Sequence, residues 1–211
     1  PNNVVAGSQR VLIADFDADG HTDIFIPGFS EGSGGMTAQN SVMFWGGSGS
    51  YTRSDWTDNS MAHGACTGDL NNDGKIDLLV AGSGVWINNG ARSFTKTNIL
   101  TNNYFTACAV VKESTSSTIY LAQNSSVAGF KDAIAIYDFG LNLISSTGYQ
   151  TDASYDTIDV VVADLTGDGN KDFVLSLNGI AVNAAGPRQI LAYTGASTYS
   201  YSSTLESKRS S

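Results

Sequence analysis

Short apolar runs alternate with polar turns along the whole chain. Three pairs of such runs align without gaps at 11–26, 65–80 and 160–175. They share the pattern apolar run, D-x-[DNT]-x-D-G-x-x-D, apolar run. Short apolar runs on either side of a tight Asp- and Gly-rich turn are typical of β-hairpins. The pattern therefore predicts three equivalent hairpins, each closed by an acidic loop.

The spacing of the acidic loops predicts a fourth copy. Asp15 and Asp69 are 54 residues apart, whereas Asp69 and Asp164 are 95 apart, which is nearly two repeats. A degenerate copy fills the gap at Thr106–Leu121, where both apolar runs are kept and the aspartates are lost. We expect Lys112–Thr118 to form a strand-connecting turn there that holds no metal.

Each repeat continues with two further strands, so that one unit has four strands in about 50 residues, as propeller blades do. The predicted third strands are Val42–Trp45, Val85–Asn88, Ala133–Tyr137 and Gln189–Tyr193. The predicted fourth strands are Tyr51–Asp55, Phe94–Asn98, Leu143–Ser146 and Tyr199–Ser203. The fold class is therefore all-β, a β-propeller of four four-stranded blades.

The predicted propeller region is a single one over residues 1–211. Its blades are expected at about 8–57, 58–101, 102–153 and 154–205. The innermost strands, Val11–Ala14 and Val160–Ala163, are almost entirely apolar, which predicts burial on both faces between neighbouring blades. Residues Gly28–Asn40 are rich in glycine and predict a flexible inserted loop.

The acidic pattern resembles the FG-GAP/VCBS repeat, which builds the integrin α-subunit propeller, several fungal lectins and many bacterial surface and phage-associated proteins. The resemblance implies a propeller fold and calcium binding. Propellers of that family usually have seven blades, and this chain supplies four. Two arrangements follow, a closed four-blade ring or an arc of a larger seven-blade propeller. We favour the arc, completed by a partner or by more of the same polypeptide.

The acidic loops have the donor atoms for about three Ca²⁺ ions. Calcium takes 6–8 oxygen ligands, and a tight loop can supply them from alternate positions. Each loop offers four side chains and one backbone carbonyl. The predicted ligands are Asp15, Asp17, Asp19, Asp23 and the His21 carbonyl; Asp69, Asn71, Asp73, Asp77 and the Lys75 carbonyl; and Asp164, Thr166, Asp168, Asp172 and the Asn170 carbonyl.

Other readings of these loops are weaker. An EF-hand needs a glutamate at position 12 and flanking helices, but position 12 here is Ile26, Val80 or Leu175. The oxygen-only ligand set disfavours zinc and copper. The remaining alternative is a metal-free Asx-rich turn. Gly20, Gly74 and Gly169 stand where the chain turns sharply, and positive φ angles are expected there.

Charge and cysteine content limit the remaining function classes. The formal net charge of −9 argues against a nucleic-acid partner, which requires clustered Lys and Arg. No apolar run reaches the roughly 18 residues of a membrane-spanning helix. Cys66 and Cys108 occupy equivalent, otherwise apolar positions of two inner strands, so we expect them to be buried free thiols.

These observations predict a calcium-binding module, extracellular or on a cell or virion surface, that serves adhesion, recognition or assembly. The expected partner is a protein or glycan ligand, or further blades. A glycan-binding lectin is the alternative, and a polysaccharide lyase or glycosidase is less favoured. Trp45 and Trp86 are expected to pack between blades, whereas Trp56 follows an outer strand and is a candidate for exposure.

Overall fold

The computed structural model describes residues 10–32, 35–60, 62–97, 105–112, 117–123, 132–148, 155–181, 184–185, 188–194 and 200–208. These residues form nineteen strands and no helix, so none of them forms a helix that could span a membrane. The strands are β1 Leu12–Ala14, β2 Asp23–Ile26, β3 Ser30–Gly32, β4 Gly35–Thr37, β5 Val42–Gly47, β6 Ser50–Asp55, β7 Ala65–Gly68, β8 Asp77–Val80, β9 Gly84–Gly90, β10 Ser93–Thr97, β11 Phe105–Lys112, β12 Ser117–Gln123, β13 Asp132–Asp138, β14 Leu143–Gly148, β15 Tyr155–Ala163, β16 Asp172–Ala181, β17 Ala184–Ala185, β18 Arg188–Thr194 and β19 Ser200–Lys208.

Four antiparallel sheets follow one another along the chain. Their strand orders are β1-β2-β5-β6, β7-β8-β9-β10, β11-β12-β13-β14 and β15-β16-β18-β19, and the short β17 also pairs with β16. The predicted hairpins, third strands and fourth strands are confirmed, including both strands of the degenerate copy. The alternation of apolar runs with turn residues was sufficient to place them.

The chain divides into two compact units. The first comprises residues 1–104 and 112–117, and the second comprises residues 105–111 and 118–211. The first and second sheets belong to the first unit, whereas the fourth sheet and nearly all of the third belong to the second unit. The arrangement of the blades in a closed ring or an open arc stays a prediction, and so do the blade boundaries.

The core of the first unit lies between its two sheets. Phe25 and Met43 face each other across β2 and β5, and both are completely buried. They pack with residues of the second sheet in one cluster, whose buried members are Phe16, Phe25, Met43, Trp45, Ala62, Ala65, Leu78 and Val80. In the second unit the corresponding cluster contains Ala107, Tyr120, Ala122, Ile134, Ile136, Val160, Phe173 and Leu175. Burial of these apolar side chains is the main source of stability in each unit.

The innermost strands are not buried on both faces, so this prediction was wrong. Leu12 packs against the core of the first unit, but Val11 and Ile13 are 54 % and 63 % exposed. In the second unit Val160 is buried, while Val161 is 58 % exposed. Successive side chains of a strand point to opposite faces, and the neighbouring sheet covers only one of them.

The insertion at 28–40 is a structured hairpin rather than a flexible loop. β3 and β4 pair antiparallel, with Glu31 opposite Met36. A buried network closes its base, in which the Ser41 hydroxyl donates to Asp58 at 2.6 Å and accepts from the Gly28 amide at 2.9 Å. A Cβ at Gly28 would lie 2.0 Å from the Gln39 carbonyl oxygen, so this position requires glycine.

The expectation of free thiols is also wrong. Cys66 and Cys108 are both disulfide-bonded, and no described cysteine is free. A half-cystine is as apolar as a small buried thiol, so an apolar position does not discriminate between the two states. Cys66 is buried as expected, whereas Cys108 is half-buried.

Candidate metal centre

The three acidic loops are built by the same hydrogen bonds. Each loop connects the two inner strands of its sheet, at 15–22, 69–76 and 164–171. In each, the first aspartate accepts the backbone N–H groups of the fifth and sixth loop residues with its two oxygens. These pairs are Asp19 and Gly20 to Asp15 at 3.1 and 2.9 Å, Asp73 and Gly74 to Asp69 at 3.0 and 3.0 Å, and Asp168 and Gly169 to Asp164 at 3.2 and 2.9 Å.

Two left-handed residues wrap each loop around its first aspartate. Gly20, Gly74 and Gly169 have φ angles of 86°, 85° and 87°, which confirms the expected positive φ. The fourth loop position is also left-handed, with φ of 61° at Ala18, 59° at Asn72 and 79° at Gly167. The acidic pattern did not predict this second left-handed position. The asparagine and glycine in two of the three copies were the available signal, because both residues tolerate this conformation.

The first loop concentrates the most carboxylates. One oxygen each of Asp15, Asp17 and Asp19 can be chosen so that all three lie within 4.8 Å of one another. At the third loop position, where the first loop has Asp17, the second and third loops have Asn71 and Thr166. They therefore place fewer charges around the same centre. A compact group of side-chain oxygens without nitrogen or sulfur suits a hard cation such as calcium.

The aspartates at the ninth position are the most deeply buried members of the acidic loops, and their predicted role as ligands stays a prediction. Asp23, Asp77 and Asp172 are completely buried. Asp23 accepts the amides of Phe16 and Gly46, both at 2.7 Å. Asp77 likewise accepts the amides of Leu70 at 2.8 Å and Asn88 at 2.7 Å. Asp23 and Asp77 thus fasten the loop to the third strand of the sheet, whereas Asp172 accepts the loop amides of Leu165 at 2.8 Å and Thr166 at 3.1 Å. The acidic pattern did not predict this fastening role.

The electrostatics of the two groups of aspartates differ accordingly. Burial raises the pKa of Asp23 and of Asp77, and the hydrogen bonds from backbone amides only partly oppose it. The backbone amide of His21 lowers the pKa of Asp19, and the Lys75 side chain lowers that of Asp73. Asp19 and Asp73 are therefore stabilised as anions, whereas Asp23 and Asp77 are sequestered from water.

Two loops are contacted by a basic side chain from a later part of the chain. Arg92, in the β9–β10 turn, places Nε 2.6 Å from Asp17 Oδ2 and a terminal nitrogen 3.6 Å from Asp19 Oδ2. Lys112, at the end of β11, places Nζ 2.5 Å from Asp69 Oδ2. Burial alone would raise the pKa of Asp69, but Lys112 and the amides of Gly74 and Asp73 outweigh it, and the pKa is lowered. Both loops therefore have a positive charge beside their carboxylates.

The three residues whose backbone carbonyls are predicted ligands also lie in the loops. The amides of His21, Lys75 and Asn170 donate to the fifth-position aspartates at 2.8, 2.9 and 2.8 Å. Their carbonyl groups as ligands stay a prediction. In the degenerate copy, residues 113–116 lie outside the described residues, so the expected metal-free turn is described only at its ends, Lys112 and Ser117.

An aromatic pocket of about 220 Å³ lies between the first two sheets, near the first loop. Trp56 is half-buried rather than exposed, with its ring 4.8 Å from Trp86 and 5.2 Å from Phe94. Arg92 lies 5.1 Å above the Trp45 ring and also lines the pocket. The lining is completed by Ser54, Asp55 and Thr57. The packing of Trp45 and Trp86 between the sheets is confirmed.

A hydrolase-type motif occurs once in an unsuitable position. Residues Gly28-Phe29-Ser30-Glu31-Gly32 read G-x-S-x-G. A nucleophile elbow places this serine on a strand-to-helix turn. Ser30 instead begins β3 of the inserted hairpin, and no helix occurs in the described residues. The motif therefore lacks the local structure that activates the serine.

Comparison with known families matches residues 15–80 to the FG-GAP-like repeat. This segment is an FG-GAP-like repeat. It contains the first two acidic loops, and the third loop outside it repeats their hydrogen bonds. FG-GAP repeats are generally binding modules rather than enzymes. No curated protein sequence matches the chain.

Proposed function

We propose that the chain is a calcium-binding β-propeller module whose three acidic loops each hold one Ca²⁺ ion. The observation that carries this proposal is the shared loop construction, in which paired amide hydrogen bonds and two left-handed residues gather oxygen atoms around one centre. The resemblance to calcium-binding FG-GAP repeats supports it. Calorimetric titration of the chelated full chain should find three sites, and a chain that takes up no calcium contradicts the proposal.

We infer that this module acts outside the cell, or on a cell or virion surface, in adhesion, recognition or assembly. FG-GAP repeats are typically extracellular. Millimolar calcium outside cells would keep even weak loops of this kind filled. The disulfide bonding of both cysteines is in keeping with an oxidising compartment.

Glycan binding is the second candidate function, and the aromatic pocket favours it. Aromatic ring faces stack on the apolar faces of sugar rings, while polar groups at the edge satisfy the hydroxyl groups. The pocket offers both, with Trp56 and Trp86 beside Asp55 and Thr57. Its volume of about 220 Å³ suits one sugar residue of a larger glycan.

A saccharide that binds here should change the tryptophan emission of the protein. The chain has three tryptophans, and all of them line this pocket. We expect Trp56→Ala to weaken binding about tenfold through lost ring stacking, and Thr57→Ala to weaken it less. Thr52→Ala is the control, because Thr52 lies in β6, the strand just before Trp56, and does not line the pocket. A glycan array without hits, together with unchanged emission, would exclude this candidate.

We further propose that another blade of the same kind covers the exposed face of the first sheet. In the repeat alignment Val11, Ile13 and Ile24 correspond to Ala65, Thr67 and Leu78. Ala65 and Leu78 lie on the face of the second sheet that packs against the first. The first sheet thus presents the same interblade face, still exposed and more apolar, which favours an arc of a larger propeller.

The variant Ile13→Asp tests this interface. Because Ile13 is 63 % exposed, we expect the unfolding free energy of the variant to stay within about 0.5 kcal/mol of that of the unaltered chain. Self-association in sedimentation experiments should decrease, whereas the equally exposed Leu143→Asp should not affect it. A loss of about 2 kcal/mol or more would mean that the face is already covered within the chain, as in a closed ring.

A further inference from the structure

Two basic side chains, those of Arg92 and Lys112, contact carboxylate oxygens that a metal ion in the loops would need. The Asp17 carboxylate uses Oδ1 to accept the Asp19 amide at 3.2 Å, so Oδ2 remains for a cation. Arg92 Nε takes this oxygen at 2.6 Å. In the next loop Lys112 takes Oδ2 of Asp69 in the same way. The two contacts follow one rule, in which a base that belongs to one sheet binds the acidic loop of the preceding sheet.

Burial makes these contacts significant. The side chains of Asp17 and Asp69 are only 6 % and 7 % exposed, whereas Arg92 and Lys112 are 43 % and 50 % exposed. A nearly buried carboxylate without a counter-ion is costly. The base supplies that counter-ion and can swing into solvent at small cost when another cation takes its place.

The third loop differs from the first two in its ion pairs. Within the described ranges of the chain, no lysine or arginine forms an ion pair with Asp164 or Asp168. Both of these aspartates are exposed, so water can solvate their charges. The third loop therefore serves as an internal reference for the first two, each of which is contacted by a base from the following sheet.

We propose that Arg92 and Lys112 are built-in counter-ions that compete with the metal ion and set the affinity of the first and second loops. This inference rests on the proposed calcium binding. Calcium entry must break the ion pair to Asp17 or Asp69 and repel the base. Each base therefore lowers the calcium affinity of its own loop and stabilises that loop when calcium is absent.

Amide NMR of the ¹⁵N-labelled full chain resolves the loops separately. The amides of Gly20, Gly74 and Gly169 each donate to the first aspartate of their own loop, so their signals report calcium at that loop. Arg92→Gln should lower the calcium concentration at half-saturation of Gly20 about fivefold, the value of an ion pair of this exposure. Lys112→Gln should do the same for Gly74. Gly169 should not change in either variant.

Two further variants separate charge from shape. Arg92→Lys keeps the charge and should stay close to the unaltered midpoint. Arg53→Gln removes an arginine that pairs with Asp55 outside the loops and should shift none of the three midpoints. In chelator, Arg92→Gln and Lys112→Gln should melt below the unaltered chain, and saturating calcium should remove that difference.

The outcomes distinguish this inference from the function on which it rests. If the glycine signals of the unaltered chain do not respond to calcium, the proposed calcium binding is wrong. The proposed competition between base and calcium is then wrong as well. If they respond but Gly20 and Gly74 keep or raise their midpoints in the Gln variants, only the role of Arg92 and Lys112 is overturned. In that case the bases support the ligands instead of competing with the ion.

Discussion

Asp77→Ala is expected to lower the free energy of unfolding by about 3 kcal/mol or more, even when calcium has been removed. The Asp77 carboxylate is completely buried and accepts two backbone amides, those of Leu70 and Asn88. The alanine would leave both amides without an acceptor. Each hydrogen bond to a charged group contributes about 1.5–3 kcal/mol. The melting temperature should fall by about 6–12 °C, measured by calorimetry in chelator.

The matched control for this prediction is Asp73→Ala in the same loop. The Asp73 side chain is 31 % exposed, and it receives the Lys75 amide at 2.9 Å. Asp73→Ala should remove calcium binding at the second loop, but it should change the free energy of unfolding in chelator only slightly. If Asp77 serves only as a metal ligand, both variants will behave alike and lose stability only in calcium. That result would contradict the fastening role of the ninth-position aspartate.

Calcium is expected to raise the melting temperature by about 5–10 °C for each loop that it fills, at a concentration one hundred times the dissociation constant. An ion that binds only the folded state at one site adds about 2.7 kcal/mol at that concentration, and each kcal/mol shifts the midpoint of a chain of this size by about 2–4 °C. The first two loops lie in the first compact unit and the third in the second, so both units should gain stability.

Calorimetric melting of the full chain with calcium and with chelator measures this effect. Magnesium is the control cation, because it demands a smaller and more regular coordination shell and should stabilise less. Asp73→Ala should lose only the part of the gain that belongs to the second loop. Identical melting curves with calcium and with chelator would contradict the presence of calcium sites in these loops.

Local patterns in the sequence determined the strands and the loops. The alternation of apolar runs with Asp- and Gly-rich turns depends on backbone preferences within a few residues, so it placed the hairpins and the outer strands correctly. The positive φ of Gly20 and its equivalents followed for the same reason. The spacing of the repeats also located the degenerate copy, although it has no acidic motif.

The tertiary structure alone decided which partners these residues have. Asp23 and Asp77 look like the other loop aspartates in the sequence, but packing against the third strand buries them and gives them backbone amides instead of solvent. Arg92 is 75 residues from Asp17, and no local pattern links the two. The exposure of Ile13 and the bonding of Cys66 likewise depend on what lies across from each residue. Sequence spacing fixes the period of a repeat, whereas burial and charge pairing arise only when distant parts of the chain come together.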